Sequence, residues 1–107
     1  MAAQEKDLRI AAKFKQRLQK HDISVVKTIV FGSRARGDAD RESDLDILVV
    51  VQDKTLETER TIGTCAWEVG FEEEMIIQPV TMTTQHLQGP EKASLLMLAI
   101  NKEGVLV

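Results

Sequence analysis

The sequence has one cysteine, no tyrosine, two prolines and only 4% aromatic residues. A lone cysteine, Cys65, excludes the disulfide framework that small secreted domains rely on, and points to a reducing, cytoplasmic setting. No apolar run approaches the roughly 20 residues of a membrane span. The stretch MAAQEKDLRIAAKFKQRLQK is charged throughout and has no signal-peptide core. Net charge is −3, so there is no electrostatic case for bulk binding to nucleic acid or to an anionic membrane. No Cys/His spacing suits zinc, and His21 and His86 stand isolated in the sequence.

What is present suffices for one domain. The chain has 107 residues and is 43% hydrophobic, enough for one core, and its 29% charged residues are mixed in sign. Residues from about Gln4 to His21 repeat apolar positions at helical spacing (Ile10, Ala11, Phe14, Leu18). The cations Lys13, Lys15, Arg17 and Lys20 around them fit a solvated face better than an RNA or partner surface. Val25 to Phe31 is a β-branched strand ending at Gly32. Arg34 to Gly37 suits one helical turn, and Asp38 to Ser43 a polar loop. Asp44 to Gln52 is a second strand whose continuous apolar half predicts a central position covered on both faces. Thr55 to about Phe71 reads as a helix with Leu56, Ile62, Ala66 and Val69 inward. Met75 to Thr81 is a third strand, placed at an edge by Pro79, which lacks an amide donor. Thr83 or Thr84 caps a short turn. Pro90 then opens a helix over Glu91 to Lys102 with Leu95, Leu98 and Ala99 on one side, ended by Gly104. Val105 to Val107 adds a short strand or simply packs. The pattern predicts a single α/β (α+β) domain.

The chemistry concentrates between Gly32 and Val51, GSRARGDADRESDLDILVVV. Gly32 follows a strand where the chain must turn, Ser33 offers a hydroxyl and an amide, and the next amides open a turn that suits an anion. Arg34 and Arg36 supply charge for phosphate oxygens. Taken alone, such a turn is commonplace. Asp44 and Asp46 change the balance. Positions i and i+2 of a strand share a face, about 6.6 Å apart along its axis. Two carboxylates there repel one another and are costly to desolvate, which a divalent cation relieves. The reading implies a chain that handles a nucleoside triphosphate with magnesium. Gly32 to Gly37 is not a Walker A loop, because Asp38 and Ala39 stand where Lys and Ser/Thr are needed. Nor is Asp38 to Val49 a calcium loop: Ser43 replaces its glycine and Val49 its glutamate.

Gly32-Ser33-x-Ala35-Arg36-Gly37, five variable residues, then Ser43-Asp44-Leu45-Asp46 resembles the signature of the nucleotidyltransferases related to DNA polymerase beta. The short chain is similar to their minimal group, and Asn101-Lys102-Glu103-Gly104-Val105 resembles that group's ending. The resemblance implies a polymerase beta-like palm, a mixed sheet of three or four strands with helices packed on it. It implies that Gly32, Ser33, Arg34, Arg36 and Ser43 bind the nucleotide and that Asp44 and Asp46 hold two magnesium ions. It implies transfer of AMP from ATP to an acceptor hydroxyl, which in this group is often a tyrosine of a HEPN-type toxin partner, the chain being the antitoxin. With no tyrosine of its own, the chain cannot be its own acceptor there. A third carboxylate is expected on the neighbouring strand, which reads EEEMIIQP. By alternation Glu74, Ile76 and Gln78 share a face. Glu74 is the candidate acid, and Gln78 could instead mark its loss. Two alternatives stay open: a degenerate nucleotide- or partner-binding module, or a transferase for a small molecule or RNA end that completes its surface as a homo-oligomer.

Overall fold

The computed structural model describes residues 3–89 and 94–107. The predicted first helix is α1, Glu5–Lys20, with acids in its first turn and bases in its last, the arrangement that the helix dipole favours. It buries Asp7, Ile10, Ala11, Phe14 and Leu18 along one stripe. There follow β1 (Val25–Phe31), a single turn α2 (Ser33–Arg36), β2 (Leu45–Val51), α3 (Leu56–Glu73), β3 (Ile77–Thr83), α4 (Thr84–Gln88), α5 (Leu95–Glu103) and β4 (Val105–Leu106).

The four strands form one mixed sheet in the order β3-β2-β1-β4. β1 is antiparallel to β2 and to β4, whereas β2 and β3 run parallel and need α3 as their crossover. β2 is therefore internal, and its apolar run is covered on both faces. Leu45, Ile47, Val49 and Val51 pack with α1 and α3. Leu48 and Val50 pack with Phe31 and with Met97 and Ile100 of α5. Each of these valines and leucines contributes about 1.5–3 kcal/mol of burial. Pro79 lies on β3, at the sheet edge, as its missing donor predicts.

Three expectations need correction. Leu56 is 65% exposed, because it is the first residue of α3, directly after the Thr55 cap, and points away from the sheet. Ile62, Cys65, Ala66 and Val69 form the buried stripe instead. On α5 the inward residues are Met97 and Ile100, while Leu95 and Leu98 are exposed. Ser94 caps the helix, its hydroxyl accepting the Met97 amide, and the helix lays its Met97–Ile100 stripe on Leu48 and Val50 of the sheet. The expected start at Pro90 lies outside the described residues. The third strand begins at Ile77 rather than Met75, after Glu74 closes α3 in the left-handed region at φ 55°.

Three cations of α1, Arg9, Lys13 and Arg17, pair with acids of α3. Lys13 reaches Glu72 and Glu73 at 2.9 and 2.7 Å, Arg9 reaches Glu73, and Arg17 reaches Glu68 and Glu72. Lys15 donates to the Val107 carbonyl. Hydrogen bonds from Arg17 and then Lys13 hold the Glu72 carboxyl down to about 2 from an ordinary 4.5. A folded-state value below the unfolded one gives stability that is present above pH 4.5 and lost as pH falls through about 2. Melting temperature should accordingly fall across that window, and Glu72→Gln should flatten the fall. Superimposable pH profiles for the two proteins would show that the clasp contributes nothing.

Candidate functional site

The glycine turn has a specific backbone reason. Gly32 sits at φ 80°, ψ −161°, and Gly37 closes α2 at φ 86°, ψ 12°, so two residues with positive φ bracket one helical turn. The Arg36 amide donates to the Gly32 carbonyl, and the Gly37 and Asp38 amides to that of Ser33. The amides of Ser33, Arg34 and Ala35 open the turn, where a helix supplies them no acceptor.

Gly32 has a second role. A Cβ built on it would lie 3.2 Å from Asp46 Cγ and inside contact distance of Asp46 Oδ2. The missing side chain is what allows the carboxylate of β2 to rest against the end of β1. Phe31 and Asp46 are partners in the β1–β2 register. Asp44 precedes β2 by one residue and Asp46 is its second, so the strand carries one acid and its approach the other. Burial pushes the Asp46 carboxyl above its usual range, the charge of Asp44 pushes it further, and Arg36 draws it partly back. Asp44, Asp46, Arg36 and the glycine turn therefore share one electrostatic neighbourhood, at one end of the sheet face that packs on α5.

The other expected residues have different surroundings. Arg34 is buried and turned into the fold. Its Nη1 donates to both oxygens of Asp7 at 3.1 Å, its Nε to the Ser43 carbonyl at 2.8 Å, and its Nη2 to the carbonyls of Asp40 and Arg41. A guanidinium so placed anchors the loop between the turn and the acids, and its nitrogens are all engaged by protein oxygens, which corrects its side chain's assignment as a phosphate ligand. Ser43 serves the same loop. Its hydroxyl accepts the Asp40 amide and donates to Asp40 Oδ1, closing that loop. Arg36 stays half-exposed, donating to Asp38 and to Glu103 Oε2 at 2.9 Å. Glu103 Oε2 also accepts the Gly32 amide at 2.9 Å. That amide is occupied by a carboxylate from α5, a contact that no local pattern announces.

Glu74 does not lie beside the aspartates. It caps α3, three residues before β3 begins, so strand alternation cannot be counted from it. The register pairs Asp46 with Gln78. The position next to Asp46 on the neighbouring strand thus holds a neutral amide.

With this geometry in place, three comparisons bear on the chain. A family model described as a nucleotidyltransferase domain matches residues 9–94. A curated protein of Methanocaldococcus jannaschii, described as a candidate protein adenylyltransferase, is 37% identical over 68 residues, covering 57% of this chain and 69% of the relative. The crystal structure of a candidate nucleotidyltransferase from Sulfolobus solfataricus superposes with a TM-score of 0.60 at 18% identity, over 95% of this chain and 82% of the other, a likeness of fold. Asp7 and Glu103 both fall outside the span that the family model matches.

Proposed function

The chain belongs to the nucleotidyltransferase domain family, and from that premise we propose that it transfers AMP from ATP to a hydroxyl of a protein partner. The reading rests on one observation above the rest: the Asp46 carboxylate, its ionisation opposed by burial and by Asp44, lies against the side-chain-free face of Gly32. In the reaction an acceptor oxygen attacks the α-phosphorus, the bond to the bridging oxygen breaks, pyrophosphate leaves, and the hydroxyl proton passes to solvent. Magnesium fits the donor set, two carboxylate groups with mutual repulsion to relieve. When bound by Asp44 and Asp46 it would activate the attacking oxygen and neutralise charge on the leaving group. The chain's own contribution is placement. The Ser33 hydroxyl and the amides of Ser33, Arg34 and Ala35 receive phosphate oxygens, and Arg36 adds positive charge at the rim. The description of the Methanocaldococcus relative as a protein adenylyltransferase supports a protein acceptor. The resemblance to minimal nucleotidyltransferases supports a tyrosine of a HEPN-type partner.

ATP binding measured by calorimetry with and without magnesium tests the reading. Binding is expected to require the metal, and binding that ignores it would remove the two aspartates from the account. Ser33→Ala is expected to weaken ATP binding by about 1 kcal/mol, roughly fivefold in Kd, the scale of one hydrogen bond. Equal affinities would take the hydroxyl out of the phosphate site.

Gln78 beside Asp46 favours a second reading, a module that binds the nucleotide without transferring it. Magnesium-dependent ATP binding without transfer, together with transfer gained in Gln78→Asp, would establish it. Transfer by the unaltered chain excludes it.

A further inference from the structure

On the opposite face of the sheet from the aspartates, His21, Cys65 and Glu68 converge. His21 caps the end of α1, and Cys65 and Glu68 are one turn apart on α3. One ligand atom from each, an imidazole nitrogen, the thiol sulfur and a carboxylate oxygen, lies within 4.8 Å of the other two. We propose that this triplet is a binding site for a thiophilic divalent transition metal of the zinc class, bridging α1 to α3.

The donor set selects the ion. A sulfur and an imidazole nitrogen suit zinc or cobalt, whereas magnesium requires oxygen. Tetrahedral zinc holds sulfur at about 2.3 Å and nitrogen or oxygen at about 2.0–2.2 Å, which sets ligands about 3.3–3.7 Å apart. The ligand atoms, within 4.8 Å of one another, must therefore draw in by up to about 1.5 Å. The chain permits this on the solvent side, because His21 is exposed and Glu68 half-buried while Cys65 is fixed in the core. Three protein ligands leave a fourth position for water. Burial pushes the Cys65 thiol up, which disfavours the thiolate that a metal needs, and among the described residues Arg17 competes for Glu68, donating to it at 3.2 Å. It has an alternative, since it also donates twice to Glu72, at 3.2 and 2.8 Å. Glu68 can thus turn to a metal without leaving the guanidinium unpaired. Binding releases the thiol proton to solvent, and the ion ties the end of α1 to the middle of α3.

Cobalt(II) titration of the whole chain tests the site, because cobalt bound to a thiolate absorbs in the near ultraviolet and cobalt on oxygen ligands does not. The band is expected to saturate at one equivalent, to vanish in Cys65→Ser, and to survive in Asp44→Asn/Asp46→Asn. His21→Ala and Glu68→Gln, both altered towards solvent, are expected to weaken cobalt binding about tenfold or more. Zinc should displace the cobalt and raise the melting temperature, and excess magnesium should do neither. No band at stoichiometric cobalt, or a band whose affinity is unchanged in His21→Ala, overturns the site whether or not Cys65→Ser folds.

Discussion

Replacing Asp44 and Asp46 together by asparagine is expected to reduce AMP transfer about a hundredfold or more while making the free protein more heat-stable. The first effect follows from the proposed chemistry: the change removes the charges that would hold magnesium, on the scale of a preorganised electrostatic contact. The second follows from the acids' surroundings. Burial and the neighbouring Asp44 raise the Asp46 carboxyl above its usual range. A group raised in the folded state stabilises fully below its unfolded value, and the contribution is lost as pH rises through the folded value. Where Asp46 is ionised its charge therefore burdens the fold, and asparagine lifts that burden at similar volume. Magnesium should raise the melting temperature of the natural chain, increasingly so as pH rises through the range where Asp46 ionises, and should leave the double variant unmoved. A variant that keeps full transfer would sink the metal assignment. A variant that melts lower than the natural chain would show that the acids serve the fold.

Asp7→Ala is expected to destabilise the protein by about 3–5 kcal/mol, the usual cost of leaving one partner of a buried ion pair uncompensated. Asp7 is 2% exposed, and both its oxygens accept from Arg34. The informative companion is Asp7→Leu/Arg34→Met. Removing both charges takes away the desolvation penalty along with the attraction, so denaturant unfolding should show much of the lost stability restored. The double variant should nonetheless lose transfer, because Arg34 also carries the carbonyls of Asp40, Arg41 and Ser43 and so fixes the loop that delivers Asp44. If stability and transfer recover together, Arg34 has no positioning role. If Asp7→Ala costs under about 1 kcal/mol, the pair is less buried in solution than its geometry states.

How far these features could be read in the sequence depends on the distance over which they are determined. β1 and β2 fall within a residue of their expected limits, since each is a run of β-branched and apolar residues ended by the turn or by polar residues. Pro79 marked an edge strand through a single missing donor. The mixed four-stranded sheet agrees with the palm that the resemblance implied. Failures came where a partner lies far along the chain. Arg34 beside Arg36 in a phosphate-like turn looks like a second phosphate ligand, and nothing near it announces Asp7, 27 residues earlier. Glu103 reaches Gly32 across 71 residues. His21 stands isolated in the sequence because it meets Cys65 only when α1 packs on α3. Glu74 misled through a local effect: a left-handed cap resets the alternation, and one left-handed residue that is not glycine is hard to foresee.

The way β4 closes the sheet also orders the assembly of the site. Val107 meets Thr28 across 79 residues, and the carboxylate of Glu103 arrives at the Gly32 amide on the same segment. β1, β2, the turn between them and both aspartates come from one contiguous stretch, Val25 to Val51, far shorter than the separation that Glu103 must span. Long-separation pairings form more slowly than local ones. During synthesis the acids and the glycine turn emerge well before the carboxylate that fills the Gly32 amide, and that contact forms only once β4 docks on β1.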